Sequence, residues 1–270
     1  MNQVLNYVIK GQPVWCCLEK DIEDDKFIQQ GVIGLKGISL KGETQRNSVT
    51  RKNLQKNKIL ATVKRAGAVL VFASEEMKDN KEVVLDAIRN NGLALLYASK
   101  RLKGDKEVVL AAVRNHGWAL NCAVYKLRND KEVVLAAIRN NPHALDAASY
   151  RLRNNIEVVK EALKMSPLSL CHASTFLQSN KVFIKEQIKT NNHEVFKYCD
   201  STLREDRDIY LPVFKKDPSL CKLFSPKDLL KLDLSSLPKR NRKVIAENFG
   251  KRSRQKDLFV LAKAKKHILG

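Results

Sequence analysis

KEVVLDAIRNNGLALLYASKRL, beginning at Lys81, returns as KEVVLAAVRNHGWALNCAVYKL at Lys106 and again as KEVVLAAIRNNPHALDAASYRL at Lys131. The step is 25 residues. A fixed period of this size, carrying helical patterns in every copy, is the mark of a solenoid, in which each repeat buries its apolar face against the next. The period can be followed outward through single positions. The last apolar residue of the first helix falls at Ile88, Val113, Ile138, Leu163, Ile188 and Val213, and stepping back gives Val63. The middle of the second helix gives Leu70, Leu95, Leu120, Leu145, Leu170, Val195 and Leu220. The Ala98-Ser99 pair recurs as Ala73-Ser74, Ala148-Ser149 and Ala173-Ser174. Seven repeats therefore fill residues 54–228, with the outer ones less regular than the three in the centre.

Each repeat reads as a two-helix hairpin. Val83, Val84, Ala87 and Ile88 make one stripe at helical spacing. Asp105 and Asp130, each before Lys-Glu, are N-caps by type and place, with Glu in the first turn. Asn90-Asn91-Gly92 and Asn140-Asn141-Pro142 carry the stop signals of that helix. The second helix is expected to put Leu95, Ala98 and Leu102 on one face, with small residues such as Ala94, Ala98, Ala119 and Ala123 allowing close approach between neighbours. The predicted fold is all-α: a solenoid of short two-helix repeats with less regular extensions at both ends.

The repeats resemble a helical family catalogued only as a domain of unknown function. The residues that carry the resemblance are Asp105-Lys106-Glu107-Val108-Val109-Leu110, Gly117, Ala119-Leu120 and Leu127, and the match is most specific over Asp79–Arg153. Similar repeats occur in amoeba-associated bacteria, protists and giant viruses, so the resemblance implies a role at a host or symbiont interface. It brings no activity and no catalytic residues with it.

Residues 1–53 follow the period poorly. Trp15, Leu18, Ile22 and Phe27-Ile28 look like parts of degenerate repeats, and the stretch from Gly31 reads as a basic linker. Residues 229–270 are a basic extension, with helix candidates at Asp228–Leu232, Arg242–Phe249 and Gln255–Ile268. The net charge of +21 is unevenly spread. Residues 1–50 hold 6 Lys and Arg against 6 Asp and Glu, whereas residues 51–78 hold 7 against 2 and residues 229–270 hold 12 against 3.

Two basic ladders follow the 25-residue step. One, at the end of each first helix, includes Arg89, Arg114 and Arg139 between Lys64 and Lys164. The other, at the end of each second helix, is Lys78, Lys103, Arg128 and Arg153. Cations there complement the helix dipole, as Glu82, Glu107 and Glu132 do at the opposite ends. They also form an array of positive charge suited to an acidic protein segment or a nucleic-acid backbone. In the tail, Lys239-Arg240 and Lys251-Arg252-Ser253-Arg254 are ten residues apart, the spacing of a bipartite nuclear-import signal. The same residues would serve as a patch for a polyanion, or as a solvated basic helix.

Catalytic and cofactor motifs are absent from the sequence. It has no phosphate-binding glycine loop, no H-E-x-x-H and no C-x-x-C among its six cysteines, so neither a metal nor a cofactor is expected. Cys171-His172 are adjacent, and neighbours on a helix point about 100° apart, which does not make a nucleophile and base. No apolar run reaches the length of a membrane helix, and the start MNQVLNYVIKGQPVW lacks the pattern of a secretory leader. A reduced, intracellular setting, cytoplasmic or nuclear, is the expectation from the unpaired cysteines. The sequence points to a non-catalytic scaffold that binds a protein partner without inserting into a membrane. Non-specific nucleic-acid binding through the ladders and the tail is the alternative. Helical repeats that read RNA bases place matched side chains in every copy, and the candidate positions here hold Leu93, Trp118, His143 and Leu168, which form no such code.

Overall fold

In the computed structural model, which describes residues 60–190, 192–229, 231–252 and 268, the long helix of each central repeat starts where a side-chain cap begins it. Asp105 accepts the amides of Glu107 and Val108 at 3.0 and 3.2 Å, and Asp130 and Asn80 do the same for their own helices. These caps set the starts of Lys81–Asn90, Lys106–Asn115 and Lys131–Asn140. The stripe Val108, Val109, Ala112 and Val113 is fully buried, as is its counterpart Val133, Val134, Ala137 and Ile138. Among the described residues there is no strand, and the array is an all-α solenoid of tandem repeats.

The second half of the repeat departs from the expected hairpin. It is not one helix. A six-residue 3-10 helix (Gly92–Tyr97, Gly117–Cys122, Pro142–Ala147) is followed by an extended pair and then a single short helical turn, Leu102–Gly104 or Tyr125–Arg128. The break falls at Ala98, Ala123 and Ala148, whose φ and ψ are −67 and 158, −74 and 151, and −68 and 156. Its cause lies in the neighbouring repeat. Extending the backbone frees the amides of Ser99, Val124 and Ser149 to donate to the carbonyls of Lys78, Lys103 and Arg128 at 2.9, 3.1 and 2.9 Å. Ser99 and Ser149 add hydroxyl bonds to Asp79 and Asn129 of the preceding repeat. The Ala-Ser pair is thus a joint between repeats. A helix running straight through it would hold those amides for itself.

A second tie joins the same repeats. Asn115 accepts the amide of Gly92 at 2.7 Å and donates to the carbonyl of Arg89 at 3.1 Å. Asn140 treats Gly117 and Arg114 in the same way, at 2.7 and 3.0 Å. The amide side chain therefore clamps the helix end and the 3-10 start of the repeat before it. The approach is so close that a Cβ on Gly117 would stand 2.6 Å from the carbonyl oxygen of Ala137. Glycine is needed at that point for space, and the helix ends on Asn91 or His116 in extended conformation.

The chain divides into two compact units, one ending at Ser149 and the other beginning at Tyr150. The second unit repeats the same elements: long helices Ile156–Met165, Lys181–Lys189 and Arg207–Lys216, each followed by a 3-10 helix. The joint persists, with the amides of Ser174 and Asp200 donating to Arg153 and Gln178 at 2.9 and 3.0 Å. One extra residue enters after His193–Lys197, at Tyr198-Cys199, so the step from Ser174 to Asp200 is 26. The register slips with it. Phe214 and Cys221 take the places that a strict step of 25 assigns to Val213 and Leu220, although all four are buried. Phe214, Phe196 and Phe224 pack here with ring centroids 5.9–6.0 Å apart.

The array closes with a different element. The expected short helices of the tail are Pro226–Leu229 and one longer helix, Lys239–Arg252, while most of Gln255–Ile268 lies outside the described residues. In the longer helix Asn241 donates to the carbonyls of Phe214 and Lys215 at 2.7 and 3.0 Å, the clamp that a following repeat would supply. Ile245 and Ala246 are buried beneath it. The irregular segment of residues 1–53 lies outside the described residues.

Candidate functional site

The basic side chains of the repeats fall into three environments, the two predicted ladders and a further set at the helix starts. The cations that begin the long helices are neutralised between repeats. Lys81 reaches Asp105 at 2.8 Å and Glu107 at 2.7 Å, and Lys106 reaches Asp130 and Glu132 at 2.8 Å each. Hydrogen bonding to Asp105 and Glu107 pushes the Lys81 ammonium above its ordinary range, and Lys81 in turn holds the Asp105 carboxyl below its own. In the second unit Lys181 meets Asp206 and Asp208 at 2.7 and 3.3 Å in the same manner.

The first ladder, Arg89, Arg114 and Arg139, stands exposed in the last turns of its helices. Arg89 pairs with Asp86 at 2.7 Å, and Lys64 approaches the same carboxylate at 3.6 Å. Ala111 holds the matching position one repeat on, and Arg114 has no carboxylate partner among the described residues. The second ladder is half-buried and partly used by the fold. Lys78 pairs with Glu75 at 2.9 Å, and Arg128 donates through Nε to the carbonyl of Ala147 at 2.6 Å. The carbonyls of Lys78, Lys103 and Arg128 accept the joint bonds of the first unit, and that of Arg153 accepts one in the second. Burial there leaves the Nε of Arg153 with no hydrogen-bond partner.

The tail cations are split by the closing helix. Lys239 and Arg240 are exposed in its first turn, Lys251 and Arg252 end it, and Arg254 lies outside the described residues. The ten intervening residues are helical, which sets the two clusters about 18 Å apart at 1.5 Å per residue, half the reach of an extended segment.

A feature that the ladders alone do not single out is the outer edge formed by the short turns of the first unit. The matched positions Glu75, Lys100 and Tyr125 face solvent, as do Glu76, Arg101 and Lys126. Tyr125 is 67% exposed. The 25-residue alignment brings these residues together along one edge. In the second unit a cleft of about 480 Å³ is lined by Lys160, Lys164, Pro167, Gln187, Thr190 and Asn192. At its rim Thr190, in the clamp position, turns its hydroxyl back to the carbonyl of Gln187, and Asn192 donates across to the carbonyl of Leu163 at 3.2 Å.

Side chains suited to covalent or metal chemistry are dispersed. Cys171 is exposed while its neighbour His172 is 7% exposed, so the two face opposite ways. Burial pushes the thiols of Cys122 and Cys199 up to about 11, far from the thiolate a nucleophile needs. Among the described residues no three His, Cys, Asp or Glu side chains group as metal ligands, and no helix is long and apolar enough to cross a membrane. Cys16 and Cys17 lie outside the described residues.

No curated protein and no solved structure matches the chain. A family model does match the regular repeats, over residues 56–103, 105–153 and 132–178. Over those residues, which carry the Lys-Glu-Val-Val stripe, the extended joint and the asparagine clamp, the chain is similar to the domain of unknown function DUF4116.

Proposed function

We propose that this protein is a non-catalytic scaffold whose stacked repeats present a solvent-facing surface to a protein partner. The observation that carries this reading is the division of labour among its polar groups. Asparagines, serines and the N-terminal lysines are taken up by ties between repeats, whereas Lys100, Arg114 and Lys126 face water with no carboxylate partner among the described residues. Outward charge left unpaired on successive repeats suits recognition of a chain of opposite sign. Capture from lysate with the tagged full chain, with and without nuclease, tests the reading. A protein partner retained after nuclease treatment is the expected result. Recovery of nucleic acid alone, or loss of every captured protein on digestion, would replace the scaffold with the polyanion-binding alternative.

A further inference from the structure

The short-turn edge of the first unit differs from every other charged surface described above. The joint bond from the Val124 amide to the Lys103 carbonyl, 3.1 Å, sets two consecutive turns side by side. Lys100, Lys103 and Lys126 project there, and none has an acidic partner among the described residues. Arg101 is neutralised by Asp79 at 3.0 Å. Tyr125 stands among the lysines with most of its ring in water. The edge is also bounded, because the matched positions of the preceding repeat hold the exposed acids Glu75 and Glu76.

We propose that this edge docks a short, extended, acidic protein segment, with an apolar side chain of that segment laid on the Tyr125 ring. The assignment rests on the scaffold reading and narrows it to one surface and one class of partner. Two neighbouring turns, one repeat step apart and each roughly 8–10 Å wide, give up to about 20 Å of edge, the length of about six extended residues. Acidic side chains would meet the lysines, and the exposed ring supplies apolar contact at small entropic cost. Nucleic acid fits less well. Binding along a single strand calls for a continuous basic groove with an aromatic platform for successive bases. Here the matched positions read Glu75, Lys100 and Tyr125, so a phosphate backbone following the array would run from lysines into carboxylates.

Fluorescence anisotropy with the full chain tests the proposal. The probes are a labelled peptide whose central six or so residues are Asp and Glu around one Phe, a Gln-substituted control peptide, and an oligothymidylate. The acidic peptide is expected to bind at physiological salt and the control is not. The triple variant Lys100→Gln, Lys103→Gln, Lys126→Gln should weaken binding by about tenfold or more. Tyr125→Ala, at a residue 67% exposed, should weaken it several-fold at unchanged melting temperature. Arg89→Gln, Arg114→Gln, Arg139→Gln should leave it intact. The proposal is overturned if the acidic peptide does not bind, if the edge variants bind undiminished, or if the other ladder carries the affinity. It is likewise overturned if oligothymidylate binds more tightly than the peptide and competes with it. An edge variant that still captures its nuclease-resistant protein partner from lysate sinks the edge assignment alone and leaves the scaffold standing.

Discussion

Asn140 shows how much of this fold hangs on single polar side chains. It satisfies the amide of Gly117 and the carbonyl of Arg114 together, both near a helix end that has no other partner for them. Asn140→Ala should cost about 1–3 kcal/mol in denaturant unfolding, the penalty of leaving backbone groups unsatisfied in a partly buried place. A loss within experimental error would mean that water replaces the clamp. His116 is the opposite case. Asn91 and Asn141 cap their 3-10 helices by accepting the amides of Leu93 and His143 at 2.9 and 3.0 Å, whereas His116, at the same position, makes no cap bond and leaves Nδ1 buried without a partner. His116→Asn should therefore stabilise the protein by about 0.5–2 kcal/mol. Burial holds the His116 imidazole below its ordinary value. As pH falls through about 6.5 the unfolded chain takes up a proton that the folded chain resists, so stability drops on the acid side and is unaffected above it. The Asn variant should lose that part of the slope between pH 7 and 5. An identical slope in both proteins would assign the acid sensitivity elsewhere.

At the scale of elements, the extended pair matters most. Ser99, Val124 and Ser149 sit in backbone that is neither helix nor strand, yet their amides bond across to the preceding repeat. Hydrogen exchange should find these three amides protected to a degree comparable with the long helices, well above ordinary loop amides. Exchange at loop rates would show that the joint opens freely and that the long-helix stripes alone hold the repeats. Within the second ladder Lys78 and Arg128 turn toward their own repeat or its neighbour, whereas Lys103 has no carboxylate partner among the described residues and stands with Lys100 and Lys126. The sequence pattern of Leu95, Ala98 and Leu102 fits a continuous helix as well as a broken one. Apolar spacing alone does not tell the two apart.

At the scale of the molecule, the array needs an end. Helix Lys239–Arg252 supplies it by imitating the clamp with Asn241 and by burying Ile245 and Ala246. A chain stopped at Leu237 should lose at least about 1.5–3 kcal/mol, the worth of one buried Ile side chain, and melt at a lower temperature. Unchanged stability would reduce the helix to an ornament and return its cations to a purely functional role. Several features were legible in the residues alone. The period, the capping Asp105 and Asp130, the Val-Val stripe and the all-α class all follow from local rules of helix starts and apolar spacing. The caps, the stripe and the class hold because those rules act within ten residues, and the period is the recurrence of the same local pattern. Tertiary structure decided the broken second helix, the clamp made by Asn115 and Asn140, the one-residue slip after Lys197 and the gathering of Lys100, Lys103, Tyr125 and Lys126 on one edge. Each of these depends on a hydrogen bond or a packing contact reaching about one repeat away, and a backbone amide chooses between its own helix and its neighbour's carbonyl only when that neighbour is in place.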